Sequence, residues 1–177
     1  MAKAMRAEVS RETFRRATQS DIPAIRVLAE RIWWHTYPPI IGDTQTRYML
    51  DLMYAPRRIA ADMDAGHRYF LFLREDLPCG FHAIEPAYEG RAEFTRLHKL
   101  YLDPGLQGLG LGQRLIARAV EDALACGSRF MDLTVNKYNE RAIAAYRRAG
   151  FEVSGSIVKP IGEGYVMDDF IMHRRLR

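Results

Sequence analysis

The stretch Leu97-His98-Lys99-Leu100-Tyr101-Leu102-Asp103-Pro104-Gly105-Leu106-Gln107-Gly108-Leu109-Gly110-Leu111-Gly112-Gln113-Arg114-Leu115-Ile116 changes its period halfway along. Apolar residues alternate as in a strand up to Leu102, Asp103 to Gly105 turns the chain, and from about 109 the spacing becomes helical. Leu111, Leu115, Ile116, Ala119, Val120, Ala123 and Leu124 share one face of that helix, while Gln113, Arg114, Arg118, Glu121 and Asp122 take the other. Gly127 is placed to end it. Gly108, Gly110 and Gly112 strip Cβ atoms from the start of the helix, where free amides and the positive end of the dipole meet. An anion such as a pyrophosphate could approach closely there, and a plain glycine-rich turn reads equally well from these residues alone. Two better-known phosphate motifs fit poorly. Gly112 is followed by Gln113 rather than the Lys-Ser/Thr of a P-loop, and Asp132 lies inside the next strand instead of at its end.

The strand before the glycines is irregular. Leu100 and Leu102 keep the period of two, but Leu97 and Leu100 are three apart, so the alternation slips once at His98-Lys99. One extra residue is what a β-bulge adds, and a bulge bends its strand and frees backbone groups from the ladder. The following strand, Phe130 to Val135, is expected to run parallel beyond the crossover helix. If the two diverge past the bulge, a V-shaped slot opens in which an extended arm could lie as a pseudo-strand. Ordinary irregularity at a sheet edge is the other reading.

Upstream, residues 13–18 read as a short strand closed by Gln19-Ser20-Asp21. Ser20 or Asp21 can cap a helix that carries Ile22, Ile25, Leu28, Ala29, Ile32 and Trp33 on one face and stops before Tyr37, at Pro38-Pro39. Residues 43–65 are helical again, capped by Asp43 or Thr44 and broken near Pro56. Strands at 67–74 and 79–84 form a hairpin, 85–90 is a loop, and 92–102 is the bent strand. After the glycines come strand 129–135, helix 139–149 and strands 151–158 and 164–175. The order predicts an α/β (mixed α+β) fold, a mixed sheet with helices on both faces, antiparallel at its start and with βα crossovers later. One domain over 1–177 is expected, with 1–11 as a flexible lead-in.

Helix 139–149 is introduced by Asn136-Lys137-Tyr138-Asn139 and closed by Gly150-Phe151. Asn136 or Asn139 can cap it. Ala142, Ile143 and Tyr146 follow at helical spacing, and Tyr146 is either a core tyrosine or a hydroxyl at the mouth of the slot. Together the two segments resemble the acyl-CoA signature of the GNAT superfamily of N-acetyltransferases. Gln107-x-x-Gly110-x-Gly112 matches its pyrophosphate motif, and Asn136-x-x-Asn139-x-x-Ala142-Ile143-x-x-Tyr146-x-x-x-Gly150-Phe151 matches the motif that closes the coenzyme site. The resemblance spans roughly residues 13–175. The flanks Trp34 to Leu50 and Gly164 to Met172 are similar to bacterial polyamine acetyltransferases of the PaiA type.

That resemblance implies a strongly twisted sheet with splayed middle strands and a direct transfer from acetyl-CoA, as cosubstrate, to a primary amine. It places the pyrophosphate on Gln107, Gly108, Leu109, Gly110, Leu111, Gly112 and Gln113, and the pantetheine arm along Leu100, Tyr101 and Leu102 with Asn139 opposite. It gives Tyr146 the role of general acid toward the leaving thiolate. An alkylammonium of pKa ~10.4 must lose a proton before it attacks. No carboxylate is expected beside the slot, Glu93 lying well upstream, which leaves His98 at the bulge as the candidate base. Trp33, Trp34, His35 and Tyr37 form an aromatic cluster for acceptor recognition, and at most one of Asp168 and Asp169 faces the site.

Composition narrows the alternatives. The chain has 177 residues, 48% hydrophobic and 27% charged, with a net charge of +4. That is enough apolar material for a core without disulfides or a structural metal. Cys79 and Cys126 form no CxxC, and the five histidines show no ligand spacing, so no metal is expected and reduced cytoplasm is the default. No signal peptide or membrane span is read. Arg147-Arg148 and Arg174-Arg175 are short pairs rather than the basic helix of a nucleic-acid binder. A peptide N-terminal acetyltransferase and a non-catalytic acetyl-CoA-binding module are the other readings. A small-molecule amine is the expected partner, in a monomer or homodimer.

Overall fold

The computed structural model describes residues 11–177, and the expected lead-in lies almost wholly outside them. The elements run β1 (Glu12–Arg16), α1 (Ile22–Thr36), α2 (Pro38–Tyr54), α3 (Pro56–Asp64), β2 (Arg68–Arg74), β3 (Leu77–Pro86), β4 (Phe94–Leu102), α4 (Leu111–Ala125), β5 (Phe130–Asn136), α5 (Glu140–Arg148), β6 (Glu152–Gly162) and β7 (Tyr165–Arg175). The seven strands form one sheet in the order β1-β2-β3-β4-β5-β7-β6. Every neighbouring pair is antiparallel except β4 and β5, which the α4 crossover makes parallel. Among the described residues no helix is long and apolar enough to cross a membrane.

The N-terminal helices number three where the periodicity predicts two. Pro56 breaks the second one completely. Pro38 and Pro39 stop α1 as expected and also start α2, because the first positions of a helix need no amide donor. Within α2 the chain kinks at Gly42, whose φ of 78° and ψ of 162° are not helical. Asp43 and Thr44 follow directly on this break, so the second part of α2 starts where the sequence predicts a helix start. β3 and β6 run several residues longer than their apolar patterns.

α1–α3 pack one face of the sheet through a core that includes Ile25, Trp33, Leu50, Tyr54, Leu71 and Phe81. α4 and α5 cover the other face through Leu97, Ile116, Val120, Leu133, Ile143 and Phe151. Asp122 departs from its expected place on the polar side of α4. It is buried, its carboxylate accepting from Arg118 Nε at 3.0 Å and meeting His82 Nε2 at 2.9 Å.

The slip of β4 is a bulge at the expected residue. Ala83 of β3 pairs with Lys99 and Ile84 pairs with Leu97, so His98 is the extra residue. Leu97 and Leu100 therefore both pack on the α4–α5 side, while Lys99 and Tyr101 turn to the α1–α3 side. The β4–β5 ladder runs from Phe94 opposite Phe130 to Leu97 opposite Leu133 and stops at the bulge. From His98 to Leu102 the edge of β4 has no strand partner on the β5 side, and a gap opens through the centre of the sheet.

Candidate active site

A cavity of about 790 Å³ occupies this gap and extends to both faces of the sheet. Its walls include β4 from Leu97 to Leu102, the residues Gln107, Gly108, Gly110, Gly112 and Gln113, and Asn139, Ala142 and Tyr146 on the α5 side. On the α1–α2 side it is lined by Trp33, His35, Tyr37, Gln45, Met49, Met53, Met167 and Asp169, among others. One opening thus joins two chambers across the splayed strands.

The glycine segment forms the outer end of the first chamber. Gly110 directly precedes α4 with a left-handed φ of 74°, and Gly108 has a φ of 83°. Side chains other than glycine adopt that conformation at a cost. A Cβ placed on Gly108, Gly110 or Gly112 would meet no atom within 4 Å. Internal packing therefore does not require these glycines, and for Gly112 the backbone does not either. What they leave is open space in front of free helix amides. Leu109 is exposed and Leu111 is buried against Phe72 and Leu115, and neither lines the cavity, unlike the three glycines around them. The Gln107 side chain accepts from Arg141 and Gln113 Nε2 donates to Ala145 O at 2.9 Å, tying the glycine turn and α4 to α5. Arg141 and Arg148 add positive charge at this end.

At the inner end stands α5. Asn139 caps it, its Oδ1 accepting from the Ala142 amide at 3.2 Å, while Asn136 Oδ1 accepts from the Tyr138 amide at 2.9 Å. Gly150, with a φ of 81°, closes it as expected. Tyr146 lies against Phe151 with the rings 5.7 Å apart and nearly edge-on, and it also lines the cavity. Tyr146 thus packs on the core of this face and borders the cavity at the same time. Burial, helped by Tyr37 nearby, raises its hydroxyl above the ordinary tyrosine range, so it stays protonated.

The second chamber is aromatic and thioether-rich. Trp33 lies against Tyr37 with ring centroids 4.2 Å apart and planes tilted by 32°, and Tyr101 projects among Trp33, Tyr54 and Phe81. Tyr101 thus contributes its ring to this chamber as well as backbone to the slot. Tyr37, whose pKa burial raises, lies beside Tyr101 and Asn139. Trp34 does not join the cluster. Its Nε1 donates to Glu30 at 3.0 Å and Arg47 covers its ring at 4.9 Å, on the outside of α1.

His98 lines the cavity at the bulge, as expected. Its Nε2 lies 2.7 Å from Glu85 Oε2, and its ring stacks on His67 at 4.5 Å. Burial lowers its pKa to about 4, against the pull of Glu85, so the ring is neutral at pH 7. The expectation of no carboxylate beside the slot is overturned. Glu93 is remote, paired with Arg129 at 2.9 Å, but Asp169 is 5% exposed and faces the cavity. Its neighbour Asp168 turns away to Lys137, 2.5 Å distant. Strand alternation predicts that at most one of the pair faces the site, and the pairing of β7 with β5 decides which.

His67, Glu85 and His98 present three potential metal ligands within 4.8 Å of one another. The two imidazoles are stacked with an interplanar angle of 10°, so their in-plane lone pairs do not converge on one point. The cluster is a hydrogen-bonded one.

The profile of the acetyltransferase (GNAT) family matches residues 27–151. The uncharacterized N-acetyltransferase YjgM of Escherichia coli is 30% identical over 139 residues, which cover 78% of this chain and 80% of YjgM. In fold, the chain is similar to the PaiA N-acetyltransferase of Thermoplasma acidophilum, solved in complex with coenzyme A. The TM-score is 0.78 at 19% identity, covering 93% of this chain and 99% of that one. It is also similar to yncA of Salmonella typhimurium, solved with acetyl-CoA, with a TM-score of 0.67 at 22% identity and 95% of each chain covered. The two segments that bracket the slot lie within the matched region, and the chain belongs to the GNAT family of acetyltransferases.

Proposed function

We propose that the chain transfers the acetyl group of acetyl-CoA directly to a primary amine, and that a polyamine is its acceptor. The slot carries this reading: one strand edge is free from His98 to Leu102, with a glycine cradle at one end and a half-buried tyrosine at the other. The amides of 107–113 would take the pyrophosphate, helped by Arg141 and Arg148, and the pantetheine arm would pair with the backbone of Leu100 and Leu102. Asn139 spends its Oδ1 on the helix cap and hydrogen-bonds Tyr37, which leaves one hydrogen of its amide nitrogen for the arm. Acetyl-CoA supplies an activated thioester, so no covalent intermediate on the enzyme is needed. Tyr146, protonated, gives its proton to the departing thiolate. His98, neutral and oriented by Glu85, is one candidate to accept the amine's proton. The aromatic and methionine walls suit an alkyl chain ending in a cation.

A panel of polyamines, monoamines, amino acids, peptides and aminoglycosides, assayed by release of free CoA thiol, tests the acceptor. Polyamines are expected to lead; turnover of peptide N-termini alone overturns the acceptor and leaves the transferase. Gly110→Val tests the cradle. Calorimetry is expected to show acetyl-CoA binding lost while the melting transition persists, and equal affinity in both proteins would refute it.

A further inference from the structure

The acceptor chamber contains a carboxylate with no ion-pair partner among the described residues, on which Arg96 and Lys137 act only from a distance. Asp169 sits on β7 opposite Asn136 of β5, buried, with its side chain on the chamber wall beside Thr134 and Met167. Among the described residues no basic group comes within ion-pair distance of it, Lys137 being engaged by Asp168. From β5 the Thr134 hydroxyl hydrogen-bonds the carboxylate and also accepts from Arg96 of β4 at 3.1 Å. Arg96 itself lies over the Tyr88 ring, 5.4 Å from its centroid. From the end of α1 comes Tyr37, neutral at pH 7. A buried carboxylate held by one hydroxyl is costly unless a cation completes it. The chamber, which Asp169 lines, gives such a cation a route to it.

We infer that Asp169 binds the ammonium group of the acceptor and takes its proton before the nitrogen attacks the thioester. This rests on the acetyl-transfer reading and names the residue that makes the acceptor an alkylammonium. In the step, the N–H proton passes to a carboxylate oxygen and the freed electron pair forms the N–C bond at the acetyl carbon. The C–S bond breaks and the thiolate sulfur takes the Tyr146 proton. The acylated nitrogen, which still carries two hydrogens, releases one to solvent as the adduct collapses. Asp169 also gives its proton to solvent and Tyr146 takes one back, so both return to their starting states and one proton is released per amide formed. His98 is less suited, because its Nε2 is already committed to Glu85 and its ring to His67. Burial raises the Asp169 carboxyl to about 6, which leaves it ionised at pH 7 and a stronger base than His98.

The test compares wild type, Asp169→Asn, Asp169→Glu and His98→Gln. In wild type, kcat/KM for butylamine is expected to rise with pH through an ionisation near 6 and then level, because the cationic amine is the form bound. Asp169→Asn is expected to lose about a hundredfold at pH 7, within the usual range for an acid–base group. Its remaining activity is expected to climb toward the amine's own pKa, ~10. Asp169→Glu keeps part of the activity and the limb near pH 6, and acetyl-CoA affinity is unchanged in all three variants. Calorimetry with butylammonium, which needs no turnover, is expected to show binding in wild type and none in Asp169→Asn. The inference is overturned if Asp169→Asn stays within threefold of wild type, if His98→Gln is the variant that removes the limb, or if butylammonium binds both proteins alike. If wild type acetylates no amine, the acetyl-transfer reading fails, and the binding measurement still decides whether Asp169 is an ammonium site.

Discussion

Tyr146 shows how one side chain serves two purposes. Its ring packs on Phe151 and the residue borders the cavity. Tyr146→Phe keeps the ring and removes only the proton donor. General acid catalysis typically contributes 10²–10⁴-fold, so a fall of about a hundredfold in kcat is expected, ~2.7 kcal/mol of barrier. Acetyl-CoA affinity and the melting temperature should hardly move. A tyrosine that only packs gives the reverse pattern, near-normal turnover in a less stable protein, and kinetics beside a thermal melt separates the two. At this scale the sequence is legible where a residue has a local signature. Asn139 and Gly150 mark the ends of a helix, and Gly108 and Gly110 mark the start of another. Asp169 has no such signature. Strand alternation separates it from Asp168, but which of the two faces the cavity depends on β7 pairing with the distant β5, Asp169 falling opposite Asn136, and that is set by tertiary pairing alone. Trp34 fails for a related reason, since three adjacent aromatic residues on a helix cannot all point the same way.

The helix α5 and the strand β4 carry the site as elements. α5 has nine residues, too few to hold itself without its cap, and it determines where Tyr146 stands. Asn139→Ala removes the acceptor for the Ala142 amide and should cost about 1 kcal/mol of stability. If Asn139 also holds the pantetheine arm, acetyl-CoA affinity should fall together with kcat. Thermal melts and calorimetry on this one variant distinguish a cap from a cap that also binds: lowered stability with unchanged affinity leaves only the cap. The β4 bulge was readable because one missed beat in an alternating strand has few explanations, and Ala83 pairing with Lys99 while Ile84 pairs with Leu97 is its structural form. The start of α2 was not readable by the same means. Pro38 and Pro39 say that a helix cannot continue through them, but not that another cannot begin on them, and only the packing of α2 on α1 decides between these.

Across the whole molecule, the two cores on opposite faces of the sheet meet at the slot, and both bury titratable groups near it. Under the α4–α5 side, His82 is fully buried against Asp122 with its ring stacked on Phe70 at 4.8 Å. On the other face, His67 and His98 share Glu85. Burial lowers the pKa of all three below the ordinary histidine value, so each is neutral in the fold and takes up a proton on unfolding once the pH is below about 6.5. The unfolded state then binds more protons, and stability falls as the pH drops from 6.5, continuing for His98 down to about 4. Asp169 works in the opposite sense. Its folded pKa of about 6 exceeds the usual 3.8, so between these values the folded state holds a proton that the unfolded chain does not, and acid relieves a cost present at neutral pH. That cost is at most about 3 kcal/mol. Three histidines against one aspartate give a melting temperature that declines between pH 6.5 and 4.5. Asp169→Asn should melt several degrees above wild type at pH 7.5, at ~2–4 °C per kcal/mol for a chain of this size. The gap should close as the pH falls through 6, because the wild-type carboxyl becomes neutral as well. Melts of both proteins across this range decide it: parallel curves would mean that Asp169 is not ionised and unpaired in the folded protein, and a wild-type curve flat from pH 7 to 5 would mean that the buried histidines are not held neutral.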